Sequence, residues 1–359
     1  MRTGTGNGPL PGPHLDGDEV LFVVDEDPAW QPRGVWFHLR DFGADPTFHH
    51  HDGKWWCRIP RPPVDRMEYL LFGVDSDGHG FMSTDPGNPH TSRGVFGPHS
   101  VLEFPGYRPP QWLGHPVAAG ASEALQIEDE AAQITIRGDL WAPAGTLTDD
   151  LLPLLVVHDG PEYADLADLL HYLSWLWQAR PELLCRVLLL QPVDRDRSYS
   201  ASPGYARCLV ERVLPVLVAS VRTHPAIVGL GASLGALALT HAALSHPGAF
   251  AGLCLQSGSF FVPQYDSHEQ GFAYFDRVVR FVAQAGSARR YPAALHVSMT
   301  CGSGEENLAN NRRFSHILSG LGVPVDWSEN RDGHNYVAWR DCLHPGLAGL
   351  LGAVWASER

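Results

Sequence analysis

The stretch "IVGLGASLGALALTHAAL", residues 227–244, decides how the chain is read. A short apolar run ends at Gly231, Ser233 stands between two glycines, and an Ala/Leu-rich helical pattern follows. Gly231-Ala232-Ser233-Leu234-Gly235 fits G-x-S-x-G, a sharp strand-to-helix turn that lifts a serine hydroxyl out of a sheet. Side chains two residues either side of that serine would collide with the strained backbone, and glycines relieve both collisions. The helix behind the turn begins with N–H groups that have no intrahelical partner, which places the Leu234 N–H to stabilise an oxyanion. Ser233 is therefore the candidate nucleophile.

Outward from this turn the second half of the chain alternates. "LPLLVVHDG", "LCRVLLLQPV", "AIVGLG", "GLCLQSGSF", "ALHVSMTCG" and "VPVDWSEN" read as strands. Helical patterns separate them over 162–179, 204–222 and 234–245, then in "NLANNRRFSHILSGLG" and finally over 335–354. Continuous apolar strands alternating with helices predict a mostly parallel sheet covered on both faces. Residues 18–104 differ: short β-like runs such as "GVWFHLRDF", "GKWWCRIP" and "MEYLLFGVDSDG", broken by Gly, Pro and Asp, predict a small β-sandwich. Residues 105–123 are dense in Pro and Gly and read as a linker, and residues 1–17 as a flexible leader without signal-peptide character. The expected organisation is thus a sandwich followed by a catalytic α/β domain over 124–359.

Composition narrows the class. With 359 residues, two domains are expected. A net charge of −14 argues against nonspecific binding to nucleic acid or to an anionic membrane. No apolar run is long enough to span a bilayer. The six scattered cysteines, none in a CxxC pair, read as free thiols in a reducing cytoplasm. His49-His50-His51 reads as a surface turn, because consecutive residues do not easily converge on one ion. Neither a phosphate loop, a dinucleotide fingerprint nor HExxH is present, so neither cofactor nor metal is expected.

A nucleophilic serine needs a base, and in this topology the base follows the last strand. His334 in "ENRDGHNYVAW" holds that place. The acid is expected after the preceding strand, where "MTCGSGEENLANN" offers Glu305 and Glu306, with Glu305 preferred. Asp332, or a Ser–His dyad without an acid, remains as the alternative. The second oxyanion donor belongs to the loop after "LLVVHDG"; Pro161 has no N–H, which leaves Gly160 or Glu162. Arg195, Arg197 and Tyr199, in the loop after the next strand, are candidates for substrate contact.

These segments together resemble the enterochelin (enterobactin) esterase family of siderophore-processing hydrolases. The resemblance runs through "DGKWWCRIP", "MEYLLFGVDSDG" and "STDPGNPH" in the first half. It continues through "LLVVHDGPEY", "QPVDRDRSYS", "GASLGALALTHAALSHPGAF", "CGSGEENLANNRRFSHIL" and "DGHNYVAWRDCL" in the second. Gly333, His334, Trp339 and Arg340 form a more specific marker than G-x-S-x-G, and Trp339 joins the substrate-site candidates. The resemblance implies the α/β-hydrolase fold, Ser233 as nucleophile, His334 as base and a carboxylate near Glu305. It also implies a cytoplasmic serine esterase that opens a catecholate trilactone siderophore to release iron. In the family an R-x-x-E pattern often follows the "VD" strand; here Arg197 leads into Ser198-Tyr199-Ser200, and the glutamate is missing. An esterase, thioesterase or acyltransferase for another ester, and a non-catalytic binding module, are the competing expectations.

Overall fold

The computed structural model describes residues 9–355, which divide into two units. The first is β-rich and comprises the chain up to Arg108 together with two short segments from far along it, Ser303–Glu306 and Arg331–Asn335. The second holds the remainder.

In the first unit, β1 (Gly12–Asp16), β2 (Glu19–Asp25), β4 (His49–His51) and β5 (Lys54–Pro60) form an antiparallel sheet in the order β1-β2-β5-β4. A second antiparallel sheet runs β3 (Trp30–Phe37), β6 (Arg66–Asp75), β9 (His99–Glu103), β8 (Thr91–Ser92), with β7 (Gly80–Ser83) also paired to β6. Val20, Phe22 and Ile59 from one sheet share an apolar cluster with Val35, Met67, Tyr69 and Leu71 from the other. Side chains of a strand point alternately to its two faces, and on β6 this turns Met67, Tyr69 and Leu71 into the cluster. Two readings of this half change. Residues 12–16 of the expected leader form a strand on β2, whereas residues 1–8 lie outside the described residues. The triple histidine is an exposed strand paired with β5, not a turn.

The second unit is built on one sheet, in the order β10-β11-β13-β12-β14-β15-β16-β17. Its strands are β10 (Gly120–Asp129), β11 (Ile134–Pro143), β12 (Leu154–His158), β13 (Arg186–Pro192), β14 (Val228–Ala232), β15 (Gly252–Gln256), β16 (His296–Gly302) and β17 (Val325–Asn330). From β13 to β17 all neighbours are parallel, and β10 and β11 add an antiparallel edge. Side chains of β12 alternate between two cores: Leu154 and Val156 join one apolar cluster, Leu155 and Val157 the other. The helices Leu234–Ser245, Phe275–Ser287 and Leu308–Gly320 pack on the first face, and Leu169–Ala179 and Gly346–Trp355 on the second. Strands buried on both faces need apolar residues at every position, which is why they read as continuous runs.

The stretch read as a linker is structured. A helical turn at Gln111–Gly114 buries Trp112, and β10 begins at Gly120. Its Pro and Gly residues punctuate short elements, and the boundary between the two units falls within the stretch, between Arg108 and Pro109. The helix expected over 162–179 is two helices, Gly160–Asp165 and Leu169–Ala179, broken at Asp168 with positive φ. That expected over 204–222 passes through a π turn at Leu209–Val213. The last one is interrupted before Pro345, which has no N–H to continue the ladder. No disulfide joins any of the six cysteines, all of which lie among the described residues. Among the described residues no helix is long and apolar enough to cross a membrane.

Gly160 starts the helix that follows β12, and a Cβ built there would overlap the backbone of Leu189 in β13. A strand buried in mid-sheet cannot move aside. Gly160→Ala should therefore destabilise by at least about 2 kcal/mol, and thermal unfolding should show a midpoint roughly 4–8 °C lower.

Candidate active site

Ser233 follows the last residue of β14 and precedes the helix Leu234–Ser245. Its backbone stands at φ 54, ψ −125, a conformation that costs a non-glycine residue on the order of 1–3 kcal/mol. A Cβ on Gly231 would come 2.8 Å from the Gly235 carbonyl carbon, and one on Gly235 would come 3.1 Å from the His158 Cβ. Both glycines of the motif are thus required by close approach. The turn is fastened by Ser233 N–H donating to Gln256 O (2.9 Å) and by Ser259 N–H donating to Ser233 O (3.2 Å). Ser233 is half-buried among fully buried neighbours, and its Oγ lies 3.2 Å from the Ser259 Oγ. Ser259 sits in the loop after β15. The sequence carries that signal, a loop at the carboxyl end of a parallel strand, but Ser259 was not singled out.

Around the turn, the loop after β12 is held rigidly. Asp159 has φ 50, and its carboxylate takes a two-pronged bond from Arg195, 2.8 Å to Nε and 2.7 Å to Nη2. The Asp159 N–H donates to the Tyr199 hydroxyl at 3.3 Å. His158 is fully buried with its Nε2 2.8 Å from the Tyr205 hydroxyl, and burial, aided by the Arg195 charge, pushes its imidazole down to about 3. It is a neutral packing residue. Glu162 has a carboxyl pushed up by burial, and its Oε1 accepts from the Gln191 side chain at 3.1 Å. Gly160 and Glu162 both stand as oxyanion candidates in this loop.

Three sequence candidates for substrate contact occupy supporting places instead. Tyr199 is fully buried, and Arg195 is spent on Asp159 and lies over the Tyr199 ring. Trp339 is buried too, donating from Nε1 to the Ser257 Oγ at 3.0 Å while its carbonyl accepts from Gln256. Arg197 reaches toward the Ala132 carbonyl and Gln133. Loop position alone carries no burial signal, which is why these residues read as contacts.

The acid and base candidates lie in the first unit. Glu305 Oε2 is 2.8 Å from His334 Nδ1, and Glu305 is 1% exposed. Glu306, the next residue, is exposed, so the two neighbouring carboxylates are separated by their direction. A bond at Nδ1 orients the imidazole and leaves Nε2 for proton transfer. Asp332, two residues before His334, does not share this pair: its Oδ1 accepts from the Gly333 N–H (2.6 Å) and from Asn335 Nδ2 (3.0 Å).

Behind the histidine loop lies a buried charge cluster the sequence did not reveal. Arg66 on β6 bonds Glu68 at 2.7 Å, stands 3.7 Å from Asp332, and donates to Asn335 at 3.3 Å. Burial pushes Glu68 up, but the bonds from His99, Arg66 and Ser92 and the Arg66 charge outweigh it and hold the carboxyl below its ordinary range. Burial pushes the Asp332 carboxyl up to about 7, and the Arg66 charge and the two hydrogen bonds offset only part of that. One cation faces two carboxylates, and the closer takes the charge.

The fold is that of the α/β hydrolases: a mostly parallel sheet with a serine on a glycine-flanked turn at a strand's carboxyl end. The comparisons with known proteins sharpen this. No protein-family model matches the chain. It resembles an iron(III) enterobactin esterase of Escherichia coli, 24% identical over 283 residues, which cover 74% of this chain and 66% of the relative, just under two thirds of its length. The enterobactin esterase of Shigella flexneri, solved in the presence of enterobactin, matches with a TM-score of 0.71 at 18% identity, over 98% of this chain and 97% of its own. The ferric enterobactin esterase of Salmonella typhimurium gives 0.71 at 20% identity, over 97% of each chain. A ferulic acid esterase gives 0.51 at 15% identity, over 66% of this chain and 98% of its own.

The raised Asp332 pKa has a sign that is testable. Stability tied to the protonated carboxyl is fully present below the ordinary carboxylate pKa and is lost as the pH rises through about 7. Asp332→Asn keeps an acceptor and removes the titration. Denaturant unfolding between pH 4 and 8 should show the variant gaining on the parent as pH rises, by on the order of 2–4 kcal/mol; a difference flat with pH would contradict the assignment. Arg66→Met, which leaves Glu68 ionised and unpaired, should cost about 3–5 kcal/mol at neutral pH in the same measurement.

Proposed function

We propose that the chain is a serine carboxylic-ester hydrolase whose nucleophile is Ser233, whose general base is His334 and whose acid is Glu305. The observation that carries the reading is the 2.8 Å bond from Glu305 to His334 Nδ1, in the chain order that follows a serine held at positive φ. In this mechanism Ser233 Oγ attacks the ester carbonyl as His334 Nε2 takes its proton. The Leu234 N–H and that of Gly160 or Glu162 hold the oxyanion. His334 then protonates the departing alcohol and activates the water that frees the acid, with Glu305 stabilising the imidazolium each time. The β-rich unit is read as the counterpart of the enterobactin esterases' N-terminal sandwich, and the eight-stranded unit as the catalytic domain.

For the substrate, likeness to enterobactin esterases over the whole chain supports a catecholate trilactone siderophore or its serine-ester products, with iron arriving as cargo of the substrate. A second reading, an esterase for another biosynthetic ester, draws support from charge. Ferric catecholates are anionic, the chain carries −14, and the two arginines expected from the sequence to contact substrate are engaged, Arg195 by Asp159 and Arg197 by Ala132 and Gln133.

Ser233→Ala should lower kcat by roughly 10³-fold or more. Glu305→Gln should lower it by about 10²–10⁴-fold, and Glu306→Gln by little. Small losses in both glutamate variants would reduce the triad to a dyad, and near-normal turnover by Ser233→Ala would end the reading. Initial rates on a ferric trilactone, its iron-free form and a neutral alkyl ester separate the two substrate readings.

A further inference from the structure

Ser259 stands beside the candidate nucleophile, and its hydroxyl has no part in the attack, the proton transfers or the oxyanion binding described above. Its Oγ lies 3.2 Å from the Ser233 Oγ, and the residue is 3% exposed. The loop that carries it, after β15, is pinned from Ser257 to Phe260. The Ser257 N–H donates to Thr300 O, and the Ser257 Oγ accepts from Trp339 Nε1 at 3.0 Å. Asn311 donates to Gly258 O at 2.7 Å and accepts from the Gly258 N–H at 2.9 Å. Phe260 stacks on Phe314 with 3.9 Å between ring centroids. The main-chain bond from the Ser259 N–H to Ser233 O fastens the turn, and any residue except proline would supply it. The hydroxyl is a separate feature. It places a strong donor, on a rigid and buried loop, against the one oxygen that must form and break a bond to the acyl group.

We propose that the Ser259 hydroxyl is a further catalytic group, a hydrogen-bond donor to the Ser233 Oγ that speeds release of the acyl group from that oxygen. The inference rests on the reading of Ser233 as the nucleophile of an ester hydrolase. In that reading the Ser233 proton goes to the base, so the Ser233 oxygen is the acceptor of the pair and Ser259 the donor. In the free enzyme the bond joins two hydroxyls. In the acyl-enzyme the same Oγ is the alkoxy oxygen of an ester, whose lone pairs are drawn toward the carbonyl, and it accepts poorly. The buried Ser259 donor is then badly paired, which raises the energy of the acyl-enzyme. When water adds, the carbonyl carbon becomes tetrahedral and the Oγ regains its acceptor strength. The C–Oγ bond then breaks, its electron pair stays on Oγ, and the proton that the base took from the water passes to Oγ. The acyl group departs as the acid, carrying the oxygen of the water. Ser259 thus bonds more strongly in this transition state than in the state before it, which is the condition for acceleration. Acylation gains less, because there the bond already exists in the ground state.

Pre-steady-state and steady-state kinetics of the full chain with p-nitrophenyl acetate test this, with Ser233→Ala as the blank. The activated leaving group makes acylation fast, so deacylation limits turnover. Release of p-nitrophenolate reads acylation, and mass spectrometry of acid-quenched samples reads the acetyl-enzyme. Ser259→Ala should lower kcat about tenfold and KM by a similar factor, leave kcat/KM within about twofold, and hold most of the enzyme as acetyl-enzyme at steady state. Ser259→Cys, which nearly keeps the volume but offers only a weak donor, should shift the same quantities in the same direction, and it carries the test where Ser259→Ala does not fold. A fall in kcat and kcat/KM together with no added acetyl-enzyme, or unchanged turnover, would overturn the role of Ser259 and leave the hydrolase reading standing. A parent that releases no p-nitrophenolate beyond the Ser233→Ala blank would end the hydrolase reading, and this inference with it.

Discussion

The catalytic unit depends on a backbone constraint repeated along one edge of its sheet. β12, β14 and β15 end at His158, Ala232 and Gln256, and the next residue in each case, Asp159, Ser233 and Ser257, has positive φ. Each such residue costs on the order of 1–3 kcal/mol and persists only where its surroundings over-determine it. Here they do. Asp159 is held through its N–H by Tyr199 and through its carboxylate by Arg195. Ser233 is bonded to Gln256, and the Ser257 N–H donates to Thr300 O in the neighbouring strand. Asn311 grips both the N–H and the carbonyl of Gly258. Gln256 ties the set together, taking the Tyr163 hydroxyl and giving its amide to Trp339. The buried polar residues around Ser233 are thus the price of three sharp exits from three adjacent strands.

The candidate acid and base are held by different physics. Glu305 and His334 lie in loops that leave β16 and β17 yet cluster with the β-rich unit. The loops bind one another and the segments beside them through main-chain bonds: Gly304 N–H to Asp332 O, Arg40 N–H to Gly304 O, and Asp65 N–H to Arg331 O. A buried carboxylate such as Glu305 is tolerable because its partner is a hydrogen-bonding imidazole. The neighbouring cluster obeys the same rule at larger scale: Arg66 balances Glu68, and Asp332 meets the remaining imbalance by favouring its neutral form. Neutral Asp332 keeps the loop ahead of His334 from carrying a second unbalanced buried charge.

What was legible in the sequence follows from range. Ser233 between its glycines, and the apolar strands with their helices, are local patterns written by sterics and by burial on two faces. Glu305 and His334 could be picked out as candidates because chain order in this topology fixes where an acid and a base would emerge. Arg66 was not, because its partners Asp332 and Asn335 stand 266 and 269 residues away and nothing in "VDRMEYL" marks a buried arginine. Tyr199 and Trp339, on the helices Arg195–Tyr199 and Tyr336–Asp341, show the converse: neither the position of Tyr199 after a strand nor the family marker that carries Trp339 encodes the burial in which their polar atoms bond the protein itself. The start of β10 was hidden because the Pro- and Gly-rich stretch that carries the unit boundary at Arg108–Pro109 also holds the helical turn Gln111–Gly114 and the first residues of that strand.

Charge links the site to its substrate. The engaged state of Arg195 means that an anion bound there would have to displace Asp159, whose bond shapes the very loop that holds the Gly160 N–H. The cation is therefore structural, and the missing glutamate after Arg197 falls in a segment occupied with bonding Ala132 and Gln133. With these cations withdrawn, selection of a substrate in so acidic a chain falls to groups that act without net charge.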